Sequence, residues 1–182
     1  MRHFAGVRGL LGLLVAASSC LAASEDATAH SASDAYLTLT ADRSEATGPS
    51  VIHGQWDIAL RDLDFVLKLD DDGDGRLTWG EVHRHQAAIE RYAYQHLTLE
   101  GGPGNACSIK PGRQLIDGHA DGAYAALFFE AVCAHAPRKF TLRYSLFFAI
   151  DPSHRGILLM HNGPAVSTAV LSPQNARIDL LR

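Results

Sequence analysis

A run of twelve residues from Asp70 to Glu81, DDDGDGRLTWGE, constrains the fold of this chain more than any other segment. Aspartates stand at its first, third and fifth positions, a glycine follows at the sixth, and a glutamate closes it at the twelfth. Calcium takes about six to eight oxygen ligands at about 2.3–2.6 Å, and alternate positions of a tight loop can supply them. The spacing therefore predicts a calcium-binding loop between two helices.

This spacing is the register of an EF-hand loop, in which each position has a defined task. Gly75 permits a sharp turn that a residue with a Cβ atom resists, and Leu77 is the apolar residue that packs inward. The predicted metal ligands are Asp70, Asp72, Asp74, the backbone carbonyl of Arg76, Thr78 through a water molecule, and both carboxylate oxygens of Glu81. Calcium is favoured over magnesium, because a glutamate that binds through both oxygens suits the larger ion. The alternative is a solvated acidic loop without an ion.

The loop has no second copy in the sequence, so the predicted site is unpaired or pairs across a dimer. Extracellular modules of this type bind calcium at about 10⁻⁴ to 10⁻³ M. Such an affinity favours a structural staple, or a sensor of extracellular calcium, over a fast switch.

The first 23 residues predict a secretory signal peptide, since basic residues precede a short apolar run that ends in Ala22 and Ala23. Residues 24–33 are small and polar, which is typical of a flexible leader. No later stretch reaches about 18 uncharged apolar residues. We therefore expect a periplasmic or secreted protein without a transmembrane span once the signal is removed.

The cysteines support this compartment. Cys20 lies within the signal, which leaves Cys107 and Cys133. An even pair in an oxidising compartment favours one disulfide bond over two separately buried thiols.

Apolar and polar residues alternate along most of the chain, which predicts strands. The strand candidates are AYLTLTA, VIHGQWDIAL, QLID, GAYAALFFEAVC, KFTLRYSLFFAID, GILLMHN, AVSTAVLS and ARIDLL. The period changes to helical near Arg61, and a second helix is predicted from Trp79 to about Gln95. We predict an α+β fold over residues 34–182, a mainly antiparallel β-sandwich with one EF-hand helix–loop–helix inserted at about residues 61–96.

Several functional classes are disfavoured. The formal net charge is −4 and no basic block occurs, so we expect no nucleic-acid partner. The common hydrolase and nucleotide-binding motifs are missing, and Asp151, Ser153 and His154 are too close in sequence to form a triad from separate segments. Trp56 and Trp79 are expected in the core, with sugar stacking as the alternative. The chain is predicted to be non-enzymatic.

Ten histidines raise the possibility of a transition-metal site. His83 and His85 would point about 200° apart on a helix, so they cannot hold one ion together. His85 and His96 fall on the apolar stripe of that helix, where a hydrogen-bonded histidine is expected. The polar run from Asp117 to Asp121, which includes His119, predicts a hairpin loop, with a second metal site as the alternative.

Four segments carry a resemblance to a known family: HGQWDIALRDLDFVLKLDDDGDGRLTWGEV, CSIKPG, DGAYAALFFEAVC and FTLRYSLFFAIDPSHRG. They are similar to the extracytoplasmic N-terminal region of bacterial HupE/UreJ-type membrane proteins, and the similarity covers roughly residues 34–181. The resemblance implies an exported domain that precedes a membrane region linked with nickel or cobalt uptake. That membrane region would begin near Arg182, so transport itself is not carried over.

The prediction is an exported, non-enzymatic, calcium-binding domain, accessory to a membrane metal-transport system. Its expected partners are a calcium ion and a membrane transport protein. Two alternatives remain open: a periplasmic module that captures nickel, cobalt or copper through surface histidines, and a calcium-dependent hydrolase.

Overall fold

A computed structural model of the chain describes residues 33–41, 48–134 and 139–181. The predicted signal peptide, and the predicted leader up to residue 32, lie outside these ranges. Within them the protein is an α+β fold that consists mostly of strands in two sheets, with few helices. No helix of the described residues is both long enough and apolar enough to cross a bilayer.

The helices interrupt the strands early in the chain. In chain order the elements are β1 (Asp34–Ala41), β2 (Ser50–Ala59), α1 (Leu60–Leu67), α2 (Trp79–Arg84), α3 (Gln86–Gln95), β3 (Leu97–Glu100), β4 (Ser108–His119), β5 (Gly122–Cys133), β6 (Lys139–Tyr144), β7 (Arg155–Asn162), β8 (Ala165–Leu171) and β9 (Arg177–Leu181). The change from strand to helix at Leu60 is within one residue of the predicted position.

The larger sheet has the strand order β4-β5-β2-β1-β7-β8, and the smaller sheet has the order β3-β6-β9. Neighbouring strands are antiparallel except β1 and β7, which run parallel. The two sheets enclose one apolar core, to which both contribute. Trp56 of the larger sheet is fully buried there, with its ring 5.5 Å from that of Tyr144 in the smaller sheet. The sandwich-like, mainly antiparallel arrangement is confirmed.

The predicted disulfide bond between Cys107 and Cys133 is confirmed. Cys107 directly precedes β4 and Cys133 ends β5, so the bond ties together one end of this long hairpin. Both cysteines are buried. A disulfide bond is compatible with an exported protein.

Two predicted elements differ from the structure. The strand predicted to reach Asp151 ends at Tyr144, because the chain turns at Phe147, whose φ of 57° is incompatible with an extended strand. Phe147 is buried in the core instead of continuing the alternation. The helix predicted from Trp79 to Gln95 is divided at His85 into α2 and α3.

Candidate metal site

The loop begins with a fixed exit from α1. Lys68 adopts a left-handed conformation with a φ of 55°, and its N–H donates to the carbonyl oxygen of Asp64 at 2.9 Å. The Asp64 side chain accepts the N–H groups of Leu69 at 2.7 Å and of Asp70 at 3.1 Å. The Lys68 bond satisfies a carbonyl oxygen of the last turn of α1, and the Asp64 side chain satisfies the first amides after the helix, which fixes where the loop starts.

Three of the predicted ligands converge. One carboxylate oxygen from each of Asp70, Asp72 and Asp74 lies within 4.8 Å of the other two. The two oxygens of Asp70 accept the N–H groups of Gly73 and Gly75, each at 2.8 Å. Gly75 has a φ of 77°, as expected for the sharp turn at the sixth position. The sequence spacing therefore brings the acidic groups to one point.

The charges of these carboxylates influence one another. Hydrogen bonds from the backbone, above all from Gly75, lower the pKa of Asp70, so this group is ionised at neutral pH. The amide of Asp74 lowers the pKa of Asp72, but the nearby carboxylates of Asp74 and Glu81, with partial desolvation, leave that pKa above its usual value. The cluster therefore contains repulsion that a bound cation would relieve.

Glu81 lies in the first turn of α2 and is only 2% exposed. Its Oε2 accepts the N–H of Thr78 at 2.8 Å and the Thr78 hydroxyl at 2.7 Å. In return Glu81 donates its N–H to Oγ1 of Thr78 at 3.3 Å, which completes a capping box at the start of the helix. Its Oε1 accepts the N–H of Asp71 at 3.1 Å. These bonds, first among them those from Thr78, lower the pKa of Glu81. Glu81 thus bridges the two ends of the loop, but its carboxylate is not part of the three-aspartate cluster.

Asp71, the second residue of the loop, is bound by side chains at the C-terminal end of α2. Oδ2 of Asp71 lies 2.9 Å from Nε and 2.8 Å from Nη2 of Arg84. Its other oxygen, Oδ1, lies 2.8 Å from Nε2 of His85. The bond to His85, followed by that to Arg84, lowers the pKa of Asp71. This contact compensates one acidic charge of the loop without using the three converging aspartates.

The structure separates the histidines of this region. The ring of His83 lies 5.7 Å from that of Trp79, whereas His85 contacts Asp71 and Nδ1 of His96 lies 2.7 Å from the carbonyl oxygen of Tyr92. His83 and His85 thus have different partners, as predicted. The expectation that Trp79 packs in the core was wrong, because this side chain is 53% exposed at the surface of α2.

Asp151, Ser153 and His154 are not arranged as a catalytic triad. The Ser153 hydroxyl donates to Asp151, whereas the His154 imidazole contacts Ser33 and Tyr144. The serine and the histidine therefore do not bond to each other, which a relay of this kind requires.

The polar run at residues 117–121 covers the end of β4 and the turn to β5, so the predicted hairpin is present but its turn is limited to residues 120–121. Asp117 and His119 also lie close to Asp57 of β2, a residue that sequence reasoning did not connect with them. Only the pairing of β2 and β4 with β5 brings these positions together. In the sequence, the one indication of this contact was that Asp57 is a polar residue in the otherwise apolar end of β2.

The donor set of the Asp70–Glu81 loop fits a hard divalent cation. Carboxylate and carbonyl oxygens are the ligands that calcium prefers, and the loop offers no nitrogen or sulfur donor at the predicted ligand positions. The chain matches no protein-family model and no curated protein.

Proposed function

We propose that α1, the loop and α2 form an EF-hand that binds one calcium ion. This ion holds the two helices against the two sheets of an exported, non-enzymatic domain. The observation that carries the proposal is the convergence of Asp70, Asp72 and Asp74 within 4.8 Å of one another. Glu81 is buried at the start of the exit helix, and its carboxylate would complete the shell by exchanging its capping bonds for the ion.

The elements on both sides of the loop are anchored in the core, which supports a structural role. Leu63 of α1, Leu69 before the loop and Val82 of α2 are fully buried, and the partly buried Leu77 packs against the same core. An ion that draws the loop together would hold both helices in these positions. Without it, repulsion among the aspartates opposes the same packing.

The disulfide bond supports an exported location, which we propose to be periplasmic or secreted. The further part of the proposal, service to a membrane metal-transport system, is supported by the resemblance of the four quoted segments to HupE/UreJ-type proteins.

The test is thermal unfolding of the full chain in calcium and in chelator. At a calcium concentration ten times the dissociation constant, binding stabilises the fold by RT ln 11, about 1.4 kcal/mol. For a domain of this size we expect the melting temperature to rise by about 3–6 °C. Magnesium at the same concentration should give a smaller rise.

Two variants make the test specific. Asp70→Asn removes a converging carboxylate and should abolish the calcium response, whereas Asp71→Asn alters an adjacent aspartate outside the cluster and should keep it. A wild-type melting temperature that is indifferent to millimolar calcium would contradict the proposal, as would equal responses of the two variants.

A further inference from the structure

A second group of metal-ligand side chains lies on the larger sheet, next to the turn between β4 and β5. Asp57 of β2, with Asp117 and His119 of β4, each place one ligand atom within 4.8 Å of the other two. This group combines two carboxylates with an imidazole, a donor set that differs from the oxygen-only loop at residues 70–81.

Strand register explains why the three side chains meet. Asp57 pairs with Ala126 of β5, which in turn pairs with Leu115 of β4. Because alternate residues of a strand share a face, Asp117 and His119 follow Leu115 on the face that Asp57 occupies. This face is opposite to that of the buried Trp56. Ala126, between Asp57 and β4, has only a methyl group as its side chain.

The imidazole is held in place by two aromatic rings. His119 stacks on Tyr124 at 4.1 Å and on Tyr36 at 5.1 Å between ring centroids, with an interplanar angle of 27° in both pairs. Its Nε2 lies 3.5 Å from Oδ2 of Asp57. That distance exceeds the usual range of an N–H···O hydrogen bond, about 2.7–3.2 Å. It is close to the separation of about 3.3 Å between two ligands of a tetrahedral zinc ion with bonds of about 2.05 Å.

Asp57 is further positioned by a neighbour on its own strand. Gln55 Nε2 donates to both carboxylate oxygens of Asp57, at 3.0 and 3.2 Å. Hydrogen bonds of this kind orient the carboxylate ligands of metal sites. Asp57 is only 8% exposed, whereas Asp117 is exposed and His119 is partly exposed. The group is therefore preorganised at its base and open to water on its outer side.

We propose that Asp57, Asp117 and His119 form a second metal site, separate from the calcium loop, for a divalent first-row transition-metal ion such as zinc. The imidazole nitrogen selects such ions over calcium, which prefers oxygen ligands. Water completes the coordination on the exposed side, as is usual where the protein supplies three ligands.

The experiment is calorimetric titration of the full chain with zinc, in buffer that contains saturating calcium so that the loop is not available. We expect one zinc site that is lost or weakened at least about tenfold in Asp117→Asn and in His119→Gln. Asp117 is exposed, and its side chain accepts the N–H of Gly118 at 2.8 Å, a bond that asparagine can keep. The Asp117→Asn variant should therefore fold normally.

His83→Gln is the matched control, since His83 is an exposed histidine outside the group. It should bind zinc as the wild type does. The proposal is overturned if the wild type shows no saturable zinc binding, if Asp117→Asn binds with wild-type affinity, or if zinc binding depends on His83. Zinc that calcium displaces stoichiometrically would belong to the loop and would equally overturn it. The calcium response of the melting temperature, measured in parallel on the same variants, tests the first proposal independently.

Discussion

His154 is expected to remain neutral at a pH where an ordinary histidine is protonated. Its imidazole is fully buried, with Nδ1 2.7 Å from the Ser33 hydroxyl and Nε2 2.8 Å from the Tyr144 hydroxyl. The Ser33 hydroxyl donates its single hydrogen to Asp62 at 2.8 Å, so it must accept from Nδ1–H of His154. Nε2 then accepts from Tyr144. A neutral imidazole satisfies every member of this network, and a second proton on Nε2 would face a donor.

Burial lowers the pKa of His154 to about 4 from 6.5, an effect that the charge of Asp151 opposes and that of Arg155 reinforces. Between these two values the unfolded chain binds a proton that the folded chain does not. The contribution of His154 to the free energy of unfolding is therefore fully present above about pH 6.5. It is lost as the pH falls towards 4. With a pKa difference of about 2.5 and 1.36 kcal/mol for each pH unit, the expected loss is about 3 kcal/mol.

Urea unfolding at intervals between pH 4 and 7 measures this loss, and titration of the imidazole signals by NMR measures the pKa directly. Asp62, whose pKa is raised by burial, and other carboxylates also titrate near the lower limit. The contribution of His154 is therefore taken as the difference in slope between the wild type and His154→Asn, which cannot titrate. A His154 signal that titrates near pH 6.5, or parallel pH profiles for the two proteins, would show that folding does not lower the pKa of this imidazole.

Two further predictions concern the stability of the larger sheet. Reduction of the Cys107–Cys133 bond, which closes a loop of sequence separation 26, should lower the free energy of unfolding by about 3 kcal/mol in urea, and an unchanged midpoint would contradict this. Gly54→Ala should destabilise by about 1–3 kcal/mol in the same assay, because its Cβ would lie 2.1 Å from the buried ring of Phe129. Gly118→Ala, where a Cβ meets open space, is the control and should unfold nearly as the wild type does.

The strands with clear alternation could be predicted because each residue type reports directly on one face of a sheet. β2 is an example, since Ile52, Trp56 and Ile58 are all buried as their spacing indicates. The end of β6 could not be predicted, because the apolar run through Phe148 continues the strand pattern while the turn depends on one left-handed residue, Phe147. The parallel pairing of β1 with β7 joins distant parts of the chain and leaves no local signal.

The two groups of candidate metal ligands also differ in whether the sequence alone could identify them. The aspartates of the loop could be identified from sequence because their relation is entirely local, at positions 70, 72 and 74. The capping role of Glu81 and the contact of Asp71 with Arg84 depend on side-chain geometry that spacing does not specify. The proximity of Asp57 to His119 depends on the order of the strands in the sheet. From the sequence, only Asp117 and His119 of β4 could be grouped as candidate ligands.

The most direct test of calcium binding by the loop is an NMR titration of the uniformly ¹⁵N-labelled chain with calcium. We expect saturable changes, at one ion per chain, centred on the amides of residues 70–81. Gly75, whose N–H donates to Asp70, should be among the most affected, and Glu81→Gln should remove or greatly weaken the effect. If the amide signals of this loop do not change at millimolar calcium, or if the changes are centred elsewhere in the chain, the loop is not the calcium site.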